Sequence, residues 1–356
     1  AFGVSLDVSW EMDLWGQLSA GKSAALADYQ AASAEFAGAR LSLTAQTAKA
    51  WFAAVESRRQ LELAEAAVTN YKTTADLVRK RYERGLRPSL DLRLTLASLA
   101  GSQAMLQQRR AIHDRALRQM ELLLGRYPAA ELETSSDLPS ISGQVPAGLP
   151  ANLVARRPDL VAAERRLAAS YSRHRQARRA LLPRISLTGS AGTSTGELGD
   201  LLNGDFGVWS LVANVVQPLF QGGRIRGGID LAKAGSDAAL ARYVQSALVA
   251  FGEVESTLAA EAFLTGQEEA AQQAAEQSLA ARSLAEDRYK TGLSGLITML
   301  EAQRRAHEAE SQLLSVRRLR LDNRVNLHLA LGGGFTTGSG LISSITEELD
   351  SGVADR

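Results

Sequence analysis

Arg81-Tyr82-Glu83-Arg84-Gly85-Leu86 returns as Arg288-Tyr289-Lys290-Thr291-Gly292-Leu293, and this repetition decides the fold. Leu124-Gly125 returns as Leu331-Gly332 at the same offset, 288 less 81. The shift also superposes Gly16 on Gly223, Ala25 on Ala232, Ala32 on Ala239, Leu41 on Leu248, Leu77 on Leu284, Leu106 on Leu313 and Arg110 on Arg317. One ungapped offset spans a whole unit, so two copies of one long helical hairpin are the simplest explanation. Copy two has a preface: a helical stretch from Arg157-Pro158-Asp159-Leu160 and a strand-like stretch from Arg184 precede Gly223, whereas only a strand's length precedes Gly16. The expectation from this asymmetry is that about 50 residues forming a twin of the preface precede residue 1 in the natural protein.

The chain has 356 residues, 40 Lys and Arg against 39 Asp and Glu, and no Cys. A net charge of +1 gives no global field toward nucleic acid. The lack of Cys excludes disulfides and thiolate metal sites. No apolar run reaches the roughly 18 residues of a membrane-spanning helix, so any crossing must be made by strands.

From Gln17 to about Glu83 there is no Pro, and Ala, Leu, Glu, Gln, Arg and Lys dominate, which predicts one helix of roughly 100 Å. Ala25, Tyr29, Ala32, Phe36, Ala39, Leu43 and Ala50 follow alternating four- and three-residue steps, broken only by Gln46, as in a coiled-coil seam. Ala232, Ser236, Ala239, Tyr243, Ser246 and Ala250 repeat it in a second long helix from about Arg226 to Lys290. Gly85 and Gly292 close these helices, Pro88 follows the first turn, and Ser89 is the expected cap of a return helix over about Leu90–Leu124. Its counterpart covers Ile297–Leu331, and a shorter helix, Asp159–Leu181, is the expected partner for the upper half of a long arm.

Val4, Leu6, Val8 and Trp10 alternate with polar residues, as do Ile185, Leu187, Gly189 and Ala191; Val208–Val216 forms a third strand after a loop over Gly192–Gly207. The pattern suits both a tilted transmembrane strand and a half-buried soluble one. The chain thus divides into a first repeat (1–125), a Pro-containing linker (126–150), a second repeat (151–332) and a Gly/Thr/Ser tail (333–356).

Gly16-Gln-Leu-Ser-Ala-Gly21-Lys22-Ser23 matches a phosphate-binding loop, but no alternating strand–helix units follow and Ile229-Asp230 replaces Lys22-Ser23 in copy two, so the match reads as accidental. His113, His174, His307 and His328 are scattered, with no metal-site spacing, and read as surface or seam residues. No nucleophile elbow is present, and no enzyme or cofactor is expected. Arg79, Lys80, Arg81, Arg84 and Arg87 surround the first tip, which by itself reads as a solvated helix end.

Trp10-Glu11-Met12-Asp13-Leu14-Trp15-Gly16, Arg156-Arg157-Pro158-Asp159-Leu160, Pro218-Leu219-Phe220-Gln221-Gly222-Gly223-Arg224 and the two Arg-Tyr-x-x-Gly-Leu tips, in this order on a tandem repeat, resemble the TolC/OprM-type outer-membrane efflux channels, specifically their NodT-like lipoprotein branch. The resemblance spans about residues 4 to 334. It implies a mainly α fold with a small β part: coiled-coil hairpins forming a periplasmic α-barrel, and strands given to a trimeric transmembrane β-barrel. It also implies a Gram-negative outer-membrane location, a homotrimer, a periplasmic adaptor and an inner-membrane pump as partners, contact with outer-membrane lipid, and drug or small-molecule export. Residues Asp91, Tyr289, Thr298 and Glu301 are implied to line or latch an aperture, with Tyr289 paired to Asp91 of a neighbouring helix hairpin and Glu301 forming one acidic, cation-favouring ring. Arg81, Tyr82, Gly85, Leu86, Pro88, Arg288, Gly292 and Leu293 are the implied adaptor-docking tips. The family's lipid-bearing Cys, one helix and first strand have no counterpart in the sequence. A soluble coiled-coil scaffold would leave the strands unexplained, and a pore-forming toxin would leave the duplication unexplained.

Overall fold

The computed structural model describes residues 2–141 and 156–333. Its elements are β1 (Phe2–Met12), α1 (Gln17–Glu83), α2 (Ser89–Leu123), α3 (Pro158–Arg179), β2 (Arg184–Thr195), β3 (Gly207–Val216), α4 (Arg224–Lys290) and α5 (Leu296–Ala330). Helices α1 and α4 have 67 residues each, and α2 and α5 have 35 each, so the duplication in sequence is a duplication in structure. None of the described helices is long and apolar enough to cross a membrane. Two compact units cut across both repeats: Ala1–Gly38 with Arg157–Val249, and Ala39–Arg156 with Ala250–Arg356. Positions 142–150 of the expected linker and 334–356 of the tail lie outside the described residues.

The first unit holds an antiparallel sheet in the order β1-β2-β3. Its register places Leu6 opposite Ala191 and Ala191 opposite Trp209, then Trp10 opposite Leu187 and Leu187 opposite Ala213. Val4, Leu6, Val8, Trp10, Met12, Ile185, Leu187, Trp209, Leu211 and Val215 therefore share one face, because side chains alternate along a strand. That face is open, with Leu6 72% and Trp209 81% exposed. Ser9 and Thr188 meet on the opposite face at 3.4 Å, and Ser190 meets Ser210 at 2.7 Å. Strand β2 continues to Thr195, beyond the loop expected from Gly192, because Phe2–Ser5 pairs with it there. A Cβ at Gly192 would lie 2.1 Å from the Val4 carbonyl oxygen, so only Gly permits this approach.

Below the sheet, Asp13 caps α1 by accepting from the backbone N–H groups of Leu18 and Ser19 at 2.9 and 2.8 Å. Helix α1 starts at Gln17, so Gly21, Lys22 and Ser23 are helical rather than part of a loop. Helix α3 is tied to α1 by ion pairs from Arg173 to Asp28 and Arg166 to Glu35, and by Arg179 donating to the Gly16 carbonyl at 2.6 Å. A groove of about 440 Å³ is lined by Asp28 of α1, Arg166, Ser170 and Arg173 of α3, and Ala232 and Gly235 among the α4 residues.

The seams differ between copies. On α4 the expected stripe is the covered one, with Ser236 buried and Ala232, Ala239 and Tyr243 half-buried. On α1 the expected stripe is open: Tyr29 is 65% and Phe36 66% exposed, while Ala20, Ala24, Ala27 and Ala31 are buried. The equivalents of those four alanines on α4, namely Gly227, Leu231, Ala234 and Ala238, are exposed. Both stripes obey the same four-three stepping, and periodicity does not say which one a neighbour fills.

In the second unit α5 is held on two sides by polar contacts. Toward α1, Ser311 donates to Gln60 at 2.8 Å and Ser315 to Glu56 at 3.1 Å. Toward α4, Arg320 pairs with Glu261 at 3.2 Å and Glu268 at 3.0 Å, and Asn323 donates to the Thr257 carbonyl at 3.1 Å. Buried Glu121 of α2 pins the chain that follows, accepting from the backbone N–H groups of Ala130, Glu131 and Leu132 at 2.7, 2.8 and 3.2 Å. Those N–H groups, first that of Ala130, hold its carboxyl below the usual carboxylate range.

A carboxylate with a depressed pKa stabilises above its unfolded value near ~4.3 and loses that contribution as pH falls. Glu121→Gln leaves one neutral acceptor oxygen for three donors. Hydrogen exchange at Ala130–Leu132 is expected to accelerate in this variant at neutral pH, and in the parent only on acidification; unchanged exchange in the variant contradicts the pinning role.

Candidate functional site: the helical tips

All the candidate site residues lie in the second unit. At the first tip the Gly85 N–H donates to the Tyr82 carbonyl at 2.8 Å, and that of Leu86 to the Arg81 carbonyl at 2.8 Å. At the second, the Gly292 N–H donates to the Tyr289 carbonyl at 3.2 Å, and that of Leu293 to the Arg288 carbonyl at 2.8 Å. These are paired helix closures that need a left-handed residue, and Gly85 (φ +71°) and Gly292 (φ +81°) supply it. The next helices start from equivalent extended positions, Pro88 (φ −73°, ψ 159°) and Gly295 (φ −76°, ψ 158°). Pro88 itself occupies the N-cap, so Ser89 is the first helical residue and makes no cap.

Tyr289 is fully buried against Val78, Leu296 and Met299, with Leu77, Leu92 and Leu300 around them. Two guanidiniums flank its ring: Arg81 at 5.0 Å and Arg87 at 5.3 Å from the centroid. Arg81 also donates to the Lys290 carbonyl at 3.2 Å, joining the first tip to the second. Arg87 pairs with Asp91 at 3.8 Å. Within the chain Tyr289 and Asp91 are thus linked indirectly, through Arg87, and the Tyr289 hydroxyl has no hydrogen-bond partner among the described residues. Sequence reading counts Arg87 only as part of a basic run. Its four-residue spacing from Asp91, beside an aromatic motif, is the available signal.

Thr298 is exposed near the start of α5. Glu301 is bound by Arg304 at 2.7 Å and Arg305 at 2.7 Å, and Arg304 also holds Glu308 at 2.5 Å. Hydrogen bonds from Arg304 first and Arg305 second pull the Glu301 pKa down to about 2. Glu301, the expected member of an acidic ring, thus stands in a quartet with Arg304, Arg305 and Glu308 whose formal charges sum to zero. The repeat equivalents of Glu301, Arg304, Arg305 and Glu308 are Leu94, Ala97, Ser98 and Gly101, so the charge belongs to copy two alone, while Asp91 is the equivalent of Thr298.

Behind Tyr289 lies a buried polar layer that sequence reading passes over. Gln303 donates to Glu286 at 2.9 Å and Thr74 at 3.3 Å, leaving its Oε1 without a partner among the described residues. Both His307 ring nitrogens are likewise buried without hydrogen bonds, and the ring is tilted 48° against Tyr71 at 6.1 Å. Burial, and then the Arg282 charge, hold His307 below its usual pKa, against a smaller opposing effect of Glu286. No cluster able to hold a metal ion occurs among the described residues.

Residues 1–126 and 149–333 match the family described as outer membrane efflux protein. The toluene efflux pump outer membrane protein TtgF of Pseudomonas putida is 34% identical over 336 residues, 94% of this chain and 70% of the relative. Outer membrane protein OprJ of Pseudomonas aeruginosa is 34% identical over 342 residues, again 94% of this chain and 70% of the relative. The solved outer-membrane channel OprN superposes with a TM-score of 0.87 at 30% identity, covering 93% of this chain and 75% of that one.

His307 generates a pH prediction. Its depressed pKa means that the packed tip binds fewer protons than an opened one, so packing loses stability as pH falls below the ordinary His value of ~6.5. The protection of the first turns of α5, as hydrogen exchange corrected for its intrinsic pH dependence, is expected to fall between roughly pH 7 and pH 5 in the parent and to stay flat in His307→Leu. An identical acid response in both would remove His307 from this role.

Proposed function

The chain belongs to the outer membrane efflux protein family, and from that premise we propose that it is the exit duct of a tripartite efflux assembly. The protein sits in the outer membrane and reaches into the periplasm. On this reading three copies each give their strands to one transmembrane β-barrel, and their helices form a tunnel beneath it. The duct passes small organic compounds delivered by an inner-membrane pump through a periplasmic adaptor, and has no catalytic role itself.

The observation that carries the reading is the sheet. One face is apolar from Met12 through Ile185 to Val215 and stays open, and the outer edges of β1 and β3 have no strand partner among the described residues. Strands of 11, 12 and 10 residues suit a tilted crossing of the hydrocarbon layer. Hydrocarbon offers no hydrogen bonds to open edges, so the barrel closes against further copies.

The tips are the proposed periplasmic entrance. Leu86 and Leu293, repeat equivalents, are 67% and 72% exposed, and Leu90 and Ile297 repeat the arrangement one turn on. These paired apolar knobs, set by Gly85, Pro88 and Gly292 and rimmed by Arg81, Tyr82 and Arg288, support adaptor docking. Asp91, Tyr289, Thr298 and Glu301 are proposed to form the aperture. With Glu301 neutralised by Arg304 and Arg305, the aperture is expected to show little cation preference.

The test is single-channel recording of the protein in planar bilayers together with efflux in a strain lacking its own outer-membrane component. Stable unitary conductance and restored export are expected; well-folded oligomers with neither would refute the duct. A Cβ at Gly292 meets nothing within 4 Å, so Gly292→Val acts through the positive φ alone, a strain of ~1–2 kcal/mol or more. It is expected to reduce adaptor pull-down and export with the oligomer intact, whereas Gly292→Asn retains both; equal behaviour of the two variants removes the tip from docking.

A further inference from the structure

The two tips are equivalent in sequence and unequal in what covers them. Arg81, Tyr82 and Glu83 map onto Arg288, Tyr289 and Lys290. Arg81 of the first tip lies over Tyr289 of the second and donates to the Lys290 carbonyl. The reciprocal contact is not made. Tyr82 is 42% exposed against 0% for Tyr289, and Arg288 and Glu83 are also exposed. Neither Arg288 nor Glu83 has an ion pair among the described residues.

We propose that the reciprocal contact is made between copies of this chain. Arg288 of one copy lies over Tyr82 of the next and donates to its Glu83 carbonyl. This rests on the proposed reading of the protein as a ring of copies. The geometry already exists inside the chain, on helices of matched length that end in matched turns, so one docking mode serves twice. It is a head-to-tail contact, the kind that builds a ring when its rotation closes.

Charge favours it further. Inside the chain Arg81 reaches only the backbone of Lys290, whose ammonium is held by Asp287 at 3.1 Å, whereas between copies the residue at that place is Glu83, of opposite charge to Arg288. Arg87, the second guanidinium over Tyr289, has Ser294 as its equivalent. The contact between copies therefore has one cation over its tyrosine rather than two.

The absence of Cys from the sequence gives cross-linking a clean background. The Glu83→Cys/Arg288→Cys double variant, purified as oligomer in detergent and treated with a short bismaleimide, is expected to yield covalent dimers and trimers on a denaturing gel. The Arg81→Cys/Lys290→Cys control is expected to link within single chains. Trimers by light scattering with no inter-chain link at 83/288, while the control reacts, would overturn the contact and leave the ring intact; monomers would overturn both. In bilayers Arg288→Glu should raise the open fraction several-fold, whereas Arg288→Lys, which keeps a cation for the Tyr82 ring and a donor for the Glu83 carbonyl, should stay near the parent. An equal rise in both variants, or no rise in either, would overturn the contact.

Discussion

Unsatisfied strand edges are the constraint on which the rest of this molecule turns. A sheet of three strands with an apolar outer face cannot be stable in water, where Trp209, Leu211 and Leu6 would stand exposed. Nor can it be stable alone in hydrocarbon, where the free N–H and C=O groups of β1 and β3 would have no partner. The arrangement that satisfies both faces and both edges is a closed wall in lipid, and the three strands of the described residues do not close one by themselves.

The helices express the same incompleteness in another form. Copy one covers the stripe of Ala20, Ala24, Ala27 and Ala31 and leaves Tyr29 and Phe36 open. Copy two does the reverse, covering Ser236 and opening Leu231. Two segments related by one offset thus expose complementary faces, as sequential members of a ring do. The small residues in both stripes let helices approach closely without demanding a specific rotamer. Polar ladders along α5 add direction that the alanines lack: a buried Asn323 or Gln60 finds its partners in only one register.

Much of this was legible in the sequence. The offset of the two Arg-Tyr-x-x-Gly-Leu motifs placed both hairpins, and the termini of the long helices fell within about two residues of the expected ones, because Gly85 and Gly292 are strong stops. The failures have physical causes. The covered seam of α1 is not legible in the sequence, since two neighbouring four-three stripes coexist on one helix and only the partner selects between them. Ser89 lost the cap to Pro88 because Pro fixes the extended turn on its own. The pairing of Glu301 is legible only in part: Arg304 and Arg305 stand at the three- and four-residue spacings, and the structure shows that both reach back one turn to it. The orphaned Gln303 and His307 atoms could not be read from spacing at all, since their burial depends on α1 and α4 arriving together.

The account stands or falls on whether the sheet is a membrane wall. Spin labels placed singly along β1 in the reconstituted protein report contact with lipid through oxygen and contact with water through a nickel chelate. Val4, Leu6, Val8 and Trp10 should be accessible to oxygen, and Ser5, Asp7 and Ser9 to nickel, in strict alternation. A flat profile, or nickel access at every position, would contradict the transmembrane assignment and leave the helical hairpins as a water-soluble assembly.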